Sequence, residues 1–252
     1  MPESAPVFRV TGRGPVRLIV SHGWIAGAAL FDPVAELLDP DRYSVAFVEH
    51  RGYGAAAHLP AEGLASSAAD VLAAAYQLGW DRFALLGHSM GGLVAQHLTV
   101  TAAERLSAVV LLSSVPASGG QLTDEVRAQR RQAVHSAEQR RQLITANSGC
   151  GPELADHIWR MSTETASRSA MERYLDDWSR ADFGADVAGS DIDCLVVTGE
   201  RDPAVTTALM RSTVMQTYSR ARLVELVGVG HYAMQQAPQE LLNVVATFLE
   251  GQ

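Results

Sequence analysis

Lysine is missing altogether: all 20 basic residues of the 252-residue chain are arginine. That removes Schiff-base catalysis, lysine-held cofactors and phosphate binding by a P-loop. Cysteine is nearly absent too. Cys150 and Cys194 give neither a disulfide framework nor metal-ligand spacing, and they read as small apolar fillers. No uncharged apolar run approaches the ~18 residues of a membrane span. The opening Met1-Pro2-Glu3-Ser4-Ala5-Pro6 has no charged segment followed by an apolar one, so a secretory leader is not expected. Internal repeats and low-complexity tracts are absent. Positive charge is scarce: the formal net charge of -8 argues against nucleic acid or an anionic membrane as partner. What remains is 47% hydrophobic and 19% charged, the balance of a soluble, cytoplasmic globular domain with room for an inserted piece.

Apolar strands alternate with helical patterns along most of the chain. Runs at 7–10, 16–20, 45–48, 83–86, 106–112, 194–198 and 223–227 read as strands. Helical patterns follow through Leu30 to Leu38, Ala65 to Leu78, Gly92 to Arg105, Thr206 to Tyr218 and Gln239 to Leu249. The alternation predicts a parallel sheet covered by helices, with ligands outside the carboxyl ends of the strands. Between about Val115 and Ser190 the strands stop and the text turns polar and helical. We expect a core domain of residues 1–115 and 191–252 interrupted by a helical cap, 116–190. The arginines of the cap's first helical stretch (Arg127, Arg130, Arg131, Arg140, Arg141) read as a solvated face rather than an anion site.

One stretch carries chemistry. Phe83-Ala84-Leu85-Leu86 runs into Gly87-His88-Ser89-Met90-Gly91 and then a helix. A serine on so tight a strand-to-helix turn is pushed out at the sheet edge, and Gly87 and Gly91 allow strand and helix to approach. Ser89 is therefore the candidate nucleophile, and it needs a base. Of eight histidines, His231 alone follows a late strand on a glycine-rich loop, Gly228-Val229-Gly230. An orienting acid belongs at a strand end between the two. Asp202 is preferred, with Glu200 as the rival and Asp193 third. An oxyanion hole needs two backbone N–H groups. Met90, after the serine, and Trp24, after Gly23 in the first parallel loop, are the candidates.

Together, His22-Gly23-Trp24, Arg51-Gly52-Tyr53-Gly54, Gly87 to Gly92, Gly199-Glu200-Arg201-Asp202 and Gly230-His231 resemble the α/β-hydrolase superfamily. The resemblance implies an eight-stranded, mostly parallel sheet, a Ser89–Asp202–His231 triad, and a helical cap between the sixth strand and the acid-bearing one. The chain departs from the family at Glu49, where aspartate is usual, a change expected to affect packing more than mechanism. Serine at position 89 disfavours the epoxide hydrolases and haloalkane dehalogenases, and the missing lysine disfavours the hydroxynitrile lyases.

The expected reaction is acyl transfer from a small to medium ester or lactone, with a small-molecule substrate and neither cofactor nor metal. Gly23, Trp24, His88, Trp159, Trp178 and Tyr232 are the candidates for touching substrate. Carbon–carbon hydrolysis, perhydrolysis, cofactor-free dioxygenation and slow ligand sensing remain alternatives on the same scaffold. Monomer and homo-oligomer both stay open.

Overall fold

Parallel strands covered on both faces are written as near-continuous apolar runs, and the seven such runs of this chain pair into one sheet. The computed structural model describes residues 5–120 and 122–251; Met1–Ser4, on which part of the leader reading rests, lie outside them. The strands are β1 (Val7–Gly12), β2 (Val16–Ser21), β3 (Tyr43–Glu49), β4 (Phe83–His88), β5 (Leu106–Leu112), β6 (Cys194–Gly199) and β7 (Ala221–Leu226). Their order is β1-β3-β2-β4-β5-β6-β7, and every pairing is parallel except β1 with β3. The eighth strand implied by the family resemblance is absent among the described residues. Among the described residues, the seven runs that read as strands are the seven strands of the sheet.

Side chains alternate across the sheet with period two. Leu18, Val20, Phe47, Leu86 and Val110 face one core with Phe31 and the last helix, α12 (Pro238–Glu250). Ile19, Val48, Leu85, Val109 and Leu111 face the other, against α2 (Leu64–Gln77) and α3 (Met90–Thr101). The expected helix through Leu30–Leu38 is shorter than its pattern. It is a 3-10 turn at Ala28–Phe31 followed by α1 (Asp32–Ala35), which restarts where Pro33 fixes a first helical turn. The helix expected over 206–218 breaks at Thr213 into α9 (Thr207–Ser212) and α10 (Val214–Thr217).

Chain order reverses in the sheet at β2 and β4. From β2 the chain steps outward to β3, then crosses back to β4 on β2's other side. The carboxyl ends of β2 and β4 therefore flank the crevice where such sheets bind ligands. Between β5 and β6 the described residues form helices and no strand: α4 (Asp124–His135), α5 (Ala137–Asn147), α6 (Pro152–Thr165), α7 (Arg168–Arg180) and α8 (Gly184–Val187). The pattern running from Asp124 to Gln142 divides at Ser136, whose hydroxyl accepts the Gln139 N–H and caps α5. A third apolar cluster, including Trp24, Tyr53, Met90, Met171, Tyr174 and Trp178, joins these helices to the sheet ends.

Polar groups buried under that joint fix the loop after β3. Arg51 grips Asp70 of α2 with two hydrogen bonds of 2.8 and 3.1 Å. Glu49, at the end of β3, accepts the Ala28 N–H at 3.2 Å through Oε1, while Oε2 is buried without a hydrogen bond. His22 Nε2 is 3.6 Å from Oε2, but that nitrogen already accepts the His50 N–H. Burial and the neighbouring His50 drive the pKa of His22 well below its usual value, so the ring is neutral and offers no counter-charge. Burial accordingly pushes Glu49 up from 4.5 to about 7.

Between those two values only the folded chain holds the Glu49 proton, so the stability this group supplies below pH 4.5 is lost as pH rises through about 7. Glu49→Gln keeps the Ala28 acceptor and removes that loss. Its melting temperature, measured against the natural chain, should gain about 3 °C or more between about pH 5 and about pH 8. A difference that does not change with pH would contradict the uncompensated carboxyl.

Candidate active site

The turn from β4 to α3 is built by close approach. Ser89 sits there at φ 53°, ψ -116°, outside the regions a serine prefers. A Cβ on Gly87 would strike the Gly91 carbonyl, and one on Gly91 would strike the Ser21 carbonyl at the end of β2. Three backbone hydrogen bonds hold the turn. Ser89 N–H donates to Leu112 at 2.9 Å, and its carbonyl accepts from Gly92 at 3.0 Å and Val115 at 3.1 Å. The serine is thus pinned to the ends of β4 and β5, beside β2.

The loop after β7 delivers His231. Its own N–H donates to the Ser148 carbonyl at 2.7 Å, and its carbonyl accepts from His88 Nε2 at 3.0 Å. Gly230 packs so tightly on Ser148 and Gly149 that no side chain fits. His231 Nδ1 donates to Asp202 Oδ2 at 2.7 Å, which leaves Nε2 for the cavity it shares with Ser89. The other Asp202 oxygen accepts the N–H groups of Ala204 and Val205, each at 2.9 Å. Burial pushes the Asp202 carboxyl up, but the charge of His231, its hydrogen bond and the two backbone donors outweigh that and hold the pKa below its usual value. The two rival acids are elsewhere. Glu200 accepts the exposed Gly228 N–H at 2.7 Å, and Asp193 pairs with Arg220 before the amino end of β6.

Gly23 lets the loop after β2 run against the serine: a Cβ there would lie 2.9 Å from His88 Nδ1 and 3.2 Å from Ser89 Cβ. Neither the Trp24 nor the Met90 backbone N–H has an acceptor among the described residues. Both residues line the cavity with Ser89. Trp24 itself is clamped, its indole donating to the Met171 carbonyl of α7 at 2.7 Å and its own carbonyl accepting from Tyr53 Oη at 2.6 Å. His22 steadies the same loop, donating from Nδ1 to the Gly23 carbonyl at 2.8 Å.

Of the residues expected to touch substrate, Gly23, Trp24, His88, Trp178 and Tyr232 line the cavity. His88 is a neutral wall, since burial and the charge of His231 lower its pKa to about 3. Trp159 is not brought there. Its indole donates to the Ala137 carbonyl at 2.9 Å, and Arg141 lies over its ring, so it packs α6 on α5 instead. The sequence reading missed Leu143 and Asn147, which line the cavity, and put Arg130, which lines it too, on a solvated face. It also took Arg140 as solvated, whereas that side chain is buried and donates to the Val134 carbonyl at 2.7 Å. Helical period could have found Arg130: it stands three and four residues before Ala133 and Val134, which face inward on α4. Among the described residues no group of three or more His, Cys, Asp or Glu is placed to hold a metal ion, and no helix is long and apolar enough to cross a membrane.

Comparison with known proteins bears on the family and the fold. The pimeloyl-[acyl-carrier protein] methyl ester esterase of Vibrio campbellii is 37% identical over 105 residues, covering 42% of this chain and 39% of the relative. The chain thus spans about two fifths of the length of that curated relative. Among solved structures, a bromoperoxidase from Bacillus anthracis superposes with a TM-score of 0.87 at 19% identity, over 96% of this chain and 94% of that one. The enol-lactonase of Burkholderia xenovorans LB400 does so at 0.85 and 21%, over 97% and 96%. At such identities these two likenesses speak for the fold alone. The profile of the alpha/beta hydrolase family matches residues 18–244, and the chain belongs to that family.

Proposed function

We propose that this protein is a serine hydrolase that cleaves a small to medium ester or lactone through an acyl-enzyme. The observation that carries the reading is the buried 2.7 Å bond from Asp202 to His231 in the cavity that holds Ser89 on its strained turn. Asp202 is acceptor-only, so it keeps the proton on His231 Nδ1 and leaves Nε2 as a base. His231 takes the Ser89 proton as the hydroxyl attacks the carbonyl carbon. Negative charge moves to the carbonyl oxygen, where the Trp24 and Met90 N–H groups meet it. His231 then returns the proton to the departing alkoxide, and a water activated by the same nitrogen releases the acid. Asp202 stabilises the imidazolium at both steps and stays ionised.

Residues 116–190 act in this account as a cap over the core of 1–115 and 191–252. The clamp from Trp24 to Met171 ties cap position to the oxyanion loop. The apolar walls supplied by Ile25, Leu30, Leu122 and Leu143 suit a substrate with a short hydrocarbon chain. The esterase named among the relatives and the lactonase named among the structures have carbonyl substrates of the kind this site would take.

Kinetics with 4-nitrophenyl acetate test the reading. Ser89→Ala should abolish turnover with the melting temperature unchanged; retained turnover would contradict it. Asp202→Asn should lower kcat by about three to four orders of magnitude, as the wrong tautomer is then favoured. Glu200→Gln should cost no more than a few-fold, and a loss matching that of Asp202→Asn would overturn the acid's assignment. Gly23→Ala should reduce kcat about 10- to 100-fold by shifting the oxyanion donor, with KM little altered. A fall confined to KM would argue that the Gly23 loop only binds.

A further inference from the structure

Three of the five arginines that the sequence puts on α4 and α5 are neutralised at the surface, and one is buried on backbone. Arg127 bonds Asp124 and Ser179, Arg131 pairs with Asp176, and Arg141 pairs with Asp156. Arg140 is spent on buried carbonyls. Arg130 has no hydrogen-bond or ion-pair partner among the described residues. It lies on the inward face of α4, with Cζ 5.5 Å from the centroid of the Trp178 ring, and it lines the cavity that holds Ser89 and His231. Its Nε is shut away from solvent without an acceptor, and burial lowers its pKa. Trp178 is only 7% exposed and lines the same cavity, and its indole N–H has no acceptor either. No aspartate or glutamate lines the cavity among the described residues.

A guanidinium partly drawn out of water, with its Nε buried and no counter-charge, is costly, and a leucine or methionine would fill the same space at no such cost. The pair of idle donors fits an acceptor-only group, and the planar fork of arginine matches a carboxylate. We propose that Arg130 and the Trp178 N–H receive a carboxylate at the far end of the substrate's acyl chain, so that the preferred substrate is a dicarboxylic acid monoester or a lactone that bears a second, free carboxylate. The placement assigns the charge to the acyl part. Trp178 packs on Trp24, with ring centroids 5.7 Å apart, and shares an apolar cluster with Met90, so the two donors adjoin the residues that carry the proposed oxyanion N–H groups. The leaving oxygen must take its proton from His231, which stands among His88 and Tyr232. This assignment rests on the serine-hydrolase reading; the anion site itself does not.

Two esters of equal chain length separate the possibilities: 4-nitrophenyl monoadipate and 4-nitrophenyl hexanoate, assayed with the full chain. The natural protein should prefer the monoadipate. In Arg130→Gln the ratio of kcat/KM for monoadipate over hexanoate should fall about tenfold or more, chiefly through KM. Arg130→Lys should recover part of the ratio, and Arg131→Gln, whose partner Asp176 lies outside the cavity, should leave it unchanged. A ratio at or below one that ignores Arg130→Gln would overturn the proposal. Calorimetry with adipate on Ser89→Ala and on Ser89→Ala/Arg130→Gln reads the anion site without turnover. Adipate binding that weakens about tenfold in the double variant supports the site even if neither ester is cleaved, in which case the hydrolase reading falls alone. Cleavage of both esters with no Arg130-dependent preference or binding sinks the anion site alone.

Discussion

Everything at this site depends on how closely three backbone segments approach around Ser89. The ends of β2 and β4 and the start of α3 meet with no space for a Cβ at Gly87 or Gly91, and almost none at Gly23. Ser89 stands in that contact at φ 53° and lines the cavity with His231 and Trp24. The same approach frees the Met90 N–H, because a helix's first residues have no intrahelical acceptor. In the proposed mechanism, nucleophile and one oxyanion donor are thus two consequences of one turn. The sheet supplies the rigidity: β4 is fully buried, and hydrogen bonds to β5 on one side and the Gly23 loop on the other leave the turn nothing to relax into.

The helical insertion completes the site rather than merely covering it. Met171 holds the Trp24 indole, and Ser148 holds the N–H of His231. Two groups with proposed catalytic roles, one on β2's loop and one on β7's, therefore take their positions partly from residues between β5 and β6. A change in the insertion that shifts α7 would move the Trp24 loop with it. The insertion also contributes the cavity's one permanently charged side chain among the described residues, so the same helices that set geometry also bear on which substrates are held.

The sheet was legible because parallel strands are buried on both faces, and 106–112 or 194–199 admit no other reading. Family resemblance asked for an eighth strand that is absent among the described residues. The tight turn at Ser89 was legible through its glycines. Asp202 is favoured over Glu200 by its place on the turn before the next helix, and the structure adds that Asp202 accepts two N–H groups of the following turn while Glu200 reaches back to Gly228. The insertion was least legible. Amphipathic helices declare an apolar face but not the neighbour it meets, so Trp159 looked like a cavity residue and packs on α5. Arg130 looked solvated because charge on a helix usually is, although its register with Ala133 and Val134 pointed inward.

The central claim is an activated serine, and a fluorophosphonate reads it directly, because only an ionisable, base-assisted hydroxyl displaces its fluoride at neutral pH. Intact mass followed by peptide mapping should show one adduct, on Ser89, and that adduct should disappear in His231→Ala. A folded protein that gains no adduct, or gains it on another residue, would contradict the account.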